Sequence, residues 1–328
     1  MSRPARTAAL LGAALPLVVA ASLALGANAT SPAELWHALA APTGTEGDVV
    51  VRTLRLPRTV LGLLVGAALG AAGVLMQGHT RNALAEPGLL GVSAGAAFAV
   101  VVALRVGLAD SLGDTVVAAG IGALLASLAV HALARRSLRD GGPTLVVAGA
   151  AMTAFLSAAA SAIVLLDAET LDSYRFWAVG SLAGRGAGTP AVIGPVVAVG
   201  LLLAATNARA LDVLALGDDT ASSMGLSLRR ARLVGLVSVT LLTAAAVAAC
   251  GPIAFIGLLA GHLARLVAGA SWAWGVLAGA MVGAILLLGT DIAGRLVGGP
   301  GELQAGVVAG LVGAPALVWV VRRRGIAL

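Results

Sequence analysis

The sequence predicts an all-α polytopic membrane protein of about ten transmembrane helices, on three observations. Apolar residues fill 59% of the 328 positions and charged residues only 11%, against roughly 25% charged in a soluble globular domain. The mean hydropathy is +1.00. Apolar stretches long enough to cross a hydrocarbon core of about 30 Å as helices recur along the whole chain between polar connections. A single transmembrane domain over residues 1–328 is therefore expected. Glycine occurs 44 times while aromatic residues make up 3%, which suits helices that approach through small side chains.

The spans fall near residues 8–27, 57–78, 88–106, 115–134, 143–166, 190–207, 232–250, 252–268, 272–290 and 304–321. Arg3, Arg6 and Ala27-Asn28-Ala29 around the first give it the look of a cleavable signal. Its apolar stretch, Ala8 to Ala27, exceeds the usual 7–15 residues of a signal, so a retained helix is the preferred reading. The second span is apolar or glycine from Val60 to Met76. Gln77, His79, Arg81, Asn82 and Glu86 follow, then Pro87, where a helix cannot simply continue. His79, Arg81, Asn82 and Glu86 are expected to satisfy the backbone of the bend. The seventh and eighth spans are nearly continuous, divided by Gly251-Pro252. That pair is expected to turn the chain at the membrane surface, because proline disfavours helix at the residue before it. Between the sixth and seventh, about residues 208–231, runs ARALDVLALGDDTASSMGLSLRRAR. Connections of that length carry function or short helices of their own, and Asp219 to Met224, bounded by Gly217 and Gly225, is the candidate helix.

Charge excludes some classes and orients the chain. All 21 basic residues are arginine. Without lysine the chain cannot carry the GxxxxGK[ST] phosphate loop, so ATP-driven transport needs another subunit to hydrolyse the ATP. The single Cys250 excludes an internal disulfide or a cysteine-based metal cluster and reads as a small packing residue. His37, His79, His131 and His262 show no paired metal-ligand spacing. The pI near 11.2 reflects orientation by arginine rather than nucleic-acid binding. With the N-terminus inside, Arg3, Arg6, Arg81, Arg135, Arg136, Arg139, Arg209, Arg229, Arg230, Arg232, Arg265 and Arg322 to Arg324 are cytoplasmic, twice as many as lie outside. Arg52, Arg55, Arg58 and Arg295 are then anomalous on the outer face. They either anchor helix ends at phosphate headgroups or dock an acidic partner, since guanidinium pairs bidentately with carboxylate. Asp291, one turn before Arg295, can act as its local i,i+4 partner. The carboxylates Asp110, Asp114, Asp140, Asp167, Glu169, Asp172, Asp212 and Asp291 fall at span ends or in loops. That distribution argues against an ion-coupled secondary transporter, which needs an ionisable group well inside the membrane.

Four blocks carry a resemblance over about residues 50–321: LRLPRTVLGLLVGAALGAAGVLMQGHTRNALAEPGLLGVSAGAA, LGDDTASSMG, CGPIAFIGLLAGHLARLVAG and GELQAGVVAGLVGAP. Together they resemble the FecCD (BtuC-like) family of ABC-transporter permeases. Ala83, Gly261 and Gln304 stand where that family usually has proline. The resemblance implies a BtuC-like type II importer fold and a permease that moves ferric siderophores by ATP-driven alternating access. Cobalamin, to whose permeases EPGLLGVS is particularly close, or haem is the alternative cargo. It implies no enzymatic activity and no cofactor in this chain, with ATP and magnesium bound by a cytosolic ABC ATPase dimer. The other implied partners are an extracytoplasmic substrate-binding protein, a second permease copy or paralogue, and membrane lipid. Placement is in the cytoplasmic membrane with both termini in the cytoplasm.

By the same resemblance, Arg55, Arg58 and Arg295 dock the binding protein. Leu216, Gly217, Asp218, Asp219, Ala221, Met224 and Gly225 couple to the ATPase. Gly141, Gly142, Pro143 and Thr144 form the cytoplasmic gate, and Thr153, Ser157 and Ser161 line the path.

Overall fold

A computed structural model of the chain describes residues 3–26, 30–109, 111–134, 143–269, 271–298 and 301–323, and every regular element among them is helical. In order these are α1 (Arg3–Ala24), α2 (Pro32–Ala40), α3 (Glu46–Val49), α4 (Leu56–Thr80), α5 (Val92–Arg105), α6 (Leu112–Ala134), α7 (Pro143–Leu166), α8 (Ala168–Ala178), α9 (Thr189–Leu214), α10 (Asp218–Ser223), α11 (Leu228–Cys250), α12 (Ile256–Ala268), α13 (Trp272–Val297) and α14 (Ala305–Arg323). A π-helical turn, Val50–Arg55, joins α3 to α4, and a 3-10 turn, Pro87–Leu90, precedes α5. Among the described residues, six helices are long and apolar enough to cross a membrane, those containing α4, α6, α7, α9, α11 and α13. The shorter apolar α1, α5, α12 and α14 complete the set. Ten apolar helices thus stand at the ten expected spans.

The axis of the bundle is α4, packed chiefly on α13. Glycine makes that contact possible: a Cβ on Gly70 would lie 1.9 Å from the Gly279 carbonyl oxygen, and one on Gly66 2.6 Å from the Ala284 Cα. Backbones can approach this closely only through small residues. Polar side chains then join further pairs of helices. Ser127 meets Thr240 at 2.7 Å, Ser238 donates to the Gly200 carbonyl at 2.8 Å, and Asn207 donates to the Ala231 carbonyl at 2.7 Å. Each such bond contributes about 0.6 kcal/mol in a membrane bundle.

Two helices are too short to cross alone. With 14 residues in α5 and 13 in α12, each spans about 20 Å. Helix α12 runs parallel to α4, with Gly257 packed on Gly73 and Gly261 on Gln77. Counting along α4, Phe255 therefore stands about 14 Å inside the Thr80 end. The Gly251-Pro252 break thus turns the chain within the thickness of the bundle, not at its surface as expected from sequence. Protein groups satisfy the broken backbone there: Ser181 N–H donates to the Cys250 carbonyl at 2.8 Å, and Gly306 N–H to the Gly180 carbonyl at 3.0 Å. Irregular backbone at membrane depth requires such internal partners.

Other boundaries also moved. Helix α9 continues to Leu214 because Leu211 and Leu214 remain buried, so the connection to α11 narrows to residues 215–227. Helix α13 runs to Val297, which puts Asp291 and Arg295 inside a helix. Helices α2 and α8 stand where no span was expected. Ser31 and Glu34 form a capping box on α2, and the Asp167 side chain caps α8.

Candidate functional site

Two polar assemblies occupy opposite ends of the bundle. At one end the π-helical turn adds a residue to the helix entering α4, a feature common at functional sites, and delivers Arg55 and Arg58. Arg55 is 8% exposed. Its Nη1 donates to the Leu23 and Ala24 carbonyls at 2.8 Å each and to Thr30 Oγ1 at 2.9 Å. These carbonyls end α1 and lack helical partners, and a cation suits that pole. Arg295 does the same from α13, donating through Nη1 to the Ser22 and Leu25 carbonyls at 3.0 and 2.9 Å and through Nη2 to Ser22 Oγ at 3.0 Å.

Arg58 and Arg295 share Asp291, which is 1% exposed. Arg58 donates from Nε to both carboxylate oxygens at 3.1 Å and from Nη2 to Oδ1 at 2.8 Å. Arg295 Nη2 lies 3.1 Å from Oδ2, the i,i+4 pair expected from sequence. The remaining arm of Arg58 donates from Nη1 to Glu302 at 2.8 Å. Glu302, with φ at +33°, precedes α14, and its side chain is 35% exposed. The guanidinium groups of Arg55, Arg58 and Arg295 are thus all bonded within the chain, and Arg52 is the exposed member of the group. At the head of α8, Asp167 is held below the usual carboxylate range, first by the Thr170 hydroxyl and then by its N–H.

The other end presents α10. Gly217 at φ +103° and Gly225 at φ +83° bound it, conformations that side chains resist. Ala221 is fully buried and fixes its inner face. Asp218 is the fastening. Oδ1 accepts from Arg81 at 2.7 Å and Oδ2 from Arg232 at 2.5 Å, while Arg81 also donates to the Leu214 carbonyl at 3.0 Å. Helix α10 is thereby tied to the ends of α4, α9 and α11. Outward it shows Asp219, flanked by Leu216 and Met224, 60% and 62% exposed. This is a rigid, partly apolar knob, suited to a complementary cleft on another protein.

Helix α7 is the least buried of the long spans. Thr153, Ser157 and Ser161 lie at four-residue spacing on one face of it, Thr153 half-buried and the two serines exposed. Gly141 and Gly142 lie outside the described residues. Pro143 and Thr144 open the backbone of α7, and their side chains are likewise outside the described set. Among the described residues no three His, Cys, Asp or Glu side chains gather as a metal site.

The FecCD transport family matches residues 14–323. The chain belongs to the FecCD family. It is 40% identical over 322 residues to the ferric enterobactin transport system permease protein FepD of Escherichia coli, covering 97% of this chain and 96% of that one. It is 38% identical to the iron(3+)-hydroxamate import system permease protein FhuB of Bacillus subtilis, covering 92% and 79%. It is 34% identical to the hemin transport system permease protein HmuU of Yersinia pestis, covering 96% of both. A solved inward-facing metal-chelate type ABC transporter superposes with a TM-score of 0.84 at 24% identity, covering 98% of this chain and 99% of that one, which shows the fold.

Within this FecCD chain, sequence reasoning found α10 and the arginine cluster but missed two carboxylates. In sequence Glu302 stands only as part of a family block, and Glu86 as a group serving the local bend. Glu86 instead accepts the Phe255 N–H at 2.8 Å across 169 residues of sequence. The sequence carried little signal for it: the span after Pro87 reads as long enough to cross and is short only in the structure, where α5 has 14 residues.

Proposed function

We propose that this chain is the permease subunit of a binding-protein-dependent ABC importer and that its cargo is a ferric siderophore. The observation that carries the reading is α10, a stapled, glycine-bounded knob on the end of a chain that is 40% identical to a ferric enterobactin permease. In this reading Leu216, Gly217, Asp218, Asp219, Ala221, Met224 and Gly225 engage a cytosolic ATPase dimer, which binds the ATP and magnesium; this chain is assigned no cofactor. The α10 end is cytoplasmic, as are both termini, in keeping with the arginine bias. The opposite end receives an acidic substrate-binding protein, with the site centred on Arg58 and supported by Arg55 and Arg295. Thr153, Ser157 and Ser161 face the path between this chain and a second permease copy or paralogue, closed by residues 141–144.

The test is uptake of radiolabelled ferric enterobactin, hemin and cobalamin by iron-starved cells of the source organism, with the chain deleted and then restored. Loss of ferric enterobactin uptake alone, recovered on restoration, is the expected result. Loss of hemin uptake alone would establish the second reading, which the 34% identity to a hemin permease favours. Unchanged uptake of all three would overturn the assignment of cargo.

A further inference from the structure

Residues 81–86 connect the inner end of α4 to the turn before α5, and both ends of this connection are fastened to other parts of the protein. Arg81, at φ +50°, donates to Asp218 of α10 at 2.7 Å and to the Leu214 carbonyl at 3.0 Å. Five residues on, the Glu86 carboxylate accepts the Phe255 N–H at 2.8 Å. Phe255 stands at the head of α12, about 14 Å inside the Thr80 end of α4 by helical rise. It packs in turn on α14, where a Cβ on Gly313 would lie 2.5 Å from the Phe255 Cβ. One short segment therefore touches the coupling knob at one end and the middle of the bundle at the other.

The segment is internally bonded and tightly packed. Asn82 closes it into a tight turn: its Oδ1 accepts the Leu84 N–H at 2.9 Å and its carbonyl the Ala85 N–H at 3.1 Å. Ala85 is fully buried, and Pro87 follows with a fixed φ. A Cβ on Gly257 would lie 3.3 Å from the Pro87 ring, so the turn and the first residues of α12 are in direct packing contact. A carboxylate this far inside a membrane bundle, half-buried and bonded to a backbone N–H, is costly unless it serves a purpose.

We propose that residues 81–86 are the transmission element of the transporter: displacement of α10 by the ATPase pulls Arg81, and Glu86 delivers that displacement to the head of α12 and thence to α14. Glu86 is a positioning residue acting through Phe255. This relay rests on the permease reading above and adds to it a route through named contacts. Coupling along a route is demonstrated by non-additivity, since independent sites contribute additively to the free energy.

The experiment uses the purified complex of this chain with its ATPase in proteoliposomes, with labelled ferric enterobactin and its binding protein as probe. The readout is the ratio of cargo transported to ATP hydrolysed, measured for Arg81→Ala, Glu86→Ala, Glu86→Gln and the double variant. Glu86→Ala removes the acceptor for the Phe255 N–H and is expected to lower the ratio about tenfold, the effect of about 1.4 kcal/mol of lost coupling. Glutamine retains an acceptor oxygen and is expected to keep the ratio within about twofold of wild type, an effect below about 0.5 kcal/mol. Arg81→Ala combined with Glu86→Ala is expected to be no worse than the worse single variant, because one broken link already severs the relay. Fold losses that multiply in the double variant, or Glu86→Gln as damaging as Glu86→Ala, would overturn the relay. Should Glu86→Ala not assemble, Asp218→Asn at the exposed end takes its place and is paired with Glu86→Gln. A loss from Asp218→Asn no greater than twofold would then overturn the proposal. A wild-type complex with no ATP-dependent uptake of ferric enterobactin, hemin or cobalamin, each tested with its binding protein, would refute the permease reading itself, a result distinct from an intact importer with independent sites.

Discussion

Replacing Asp291 by asparagine tests whether the arginine cluster is an internal fastening or a loosely held surface. The carboxylate is 1% exposed and receives three contacts of 2.8–3.1 Å from Arg58 and one of 3.1 Å from Arg295, itself 4% exposed. Asparagine preserves the shape but removes the charge and turns an amide nitrogen, a donor, towards one of two guanidinium donors. Two buried cations then lose their shared counter-ion, a change that costs about 3–5 kcal/mol. At about 2 °C per kcal/mol for a chain of this size, the unfolding temperature in detergent is expected to fall by about 6–10 °C. Glu302→Gln is the internal control. It removes the charge from a contact of equal length, 2.8 Å, but on a side chain 35% exposed, where the amide oxygen can still accept, solvent screens the charge and the expected cost is about 1 kcal/mol or less. Both variants are scanned at one heating rate, since membrane proteins commonly unfold irreversibly. Equal shifts for the two variants, or an Asp291→Asn shift under about 2 °C, would refute the argument that burial makes this pairing strong.

Gly70→Ala is expected to lower thermal stability by about 1–3 kcal/mol through overpacking, because the added Cβ would lie 1.9 Å from the Gly279 carbonyl oxygen; detergent unfolding measures this. Gly225→Pro is expected to leave expression and binding-protein docking intact while separating ATP hydrolysis from uptake, since proline cannot adopt the φ of +83° found there; normal transport by that variant would remove α10 from the mechanism. Asp167 predicts a pH effect confined to α8. The Thr170 hydroxyl and N–H depress its folded pKa, so the stability it contributes is fully present above its unfolded value near 3.8 and is lost as pH falls through the lower folded value. Hydrogen exchange at the Thr170 amide, corrected for intrinsic rate, is expected to be protected at pH 5 and to lose protection below about pH 3.8.

Periodicity and apolar length made the ten apolar helices legible, because burial of helix faces leaves a local pattern in sequence. Their ends were less so. Helix α9 gained two turns because Asn207 and Leu211 find partners on neighbouring helices, a tertiary cause that no local window contains. Two of the missing prolines have a structural explanation. At position 83 the Asn82 turn closes the chain without one. Gly261 sits where a Cβ would meet the Gln77 side chain at 2.6 Å, and Gln77 uses that space to donate to the Leu258 carbonyl at 3.1 Å. Gln304 precedes α14 with its carbonyl accepting the Val307 and Val308 amides, which a proline carbonyl would do equally, so nothing in the structure explains that replacement. The coupling motif was readable because its glycines mark positive φ. Pairings such as Arg58 with Glu302 and Glu86 with Phe255 were not, since they join residues 244 and 169 positions apart.

The internal bonding of the arginines bears on how an acidic partner would meet this surface. A guanidinium already holding two carbonyls, as in Arg55 and Arg295, has little to offer a newcomer unless the end of α1 is released, and its burial excludes direct approach. Arg58 is different, because one of its two acid partners is part-exposed and sits on a segment leading into α14. A carboxylate arriving from outside would exchange with Glu302, whose side chain is 35% exposed, and not with Asp291, which is 1% exposed. Arg52 needs no exchange at all. Under the proposed docking the four positions would form a graded surface, with Arg52 meeting the partner first, Arg58 exchanging, and Arg55 and Arg295 holding α1 against α4 and α13. Docking on such a surface would be fast and salt-sensitive at Arg52, whereas loss of Arg58 would be felt in the lifetime of the complex.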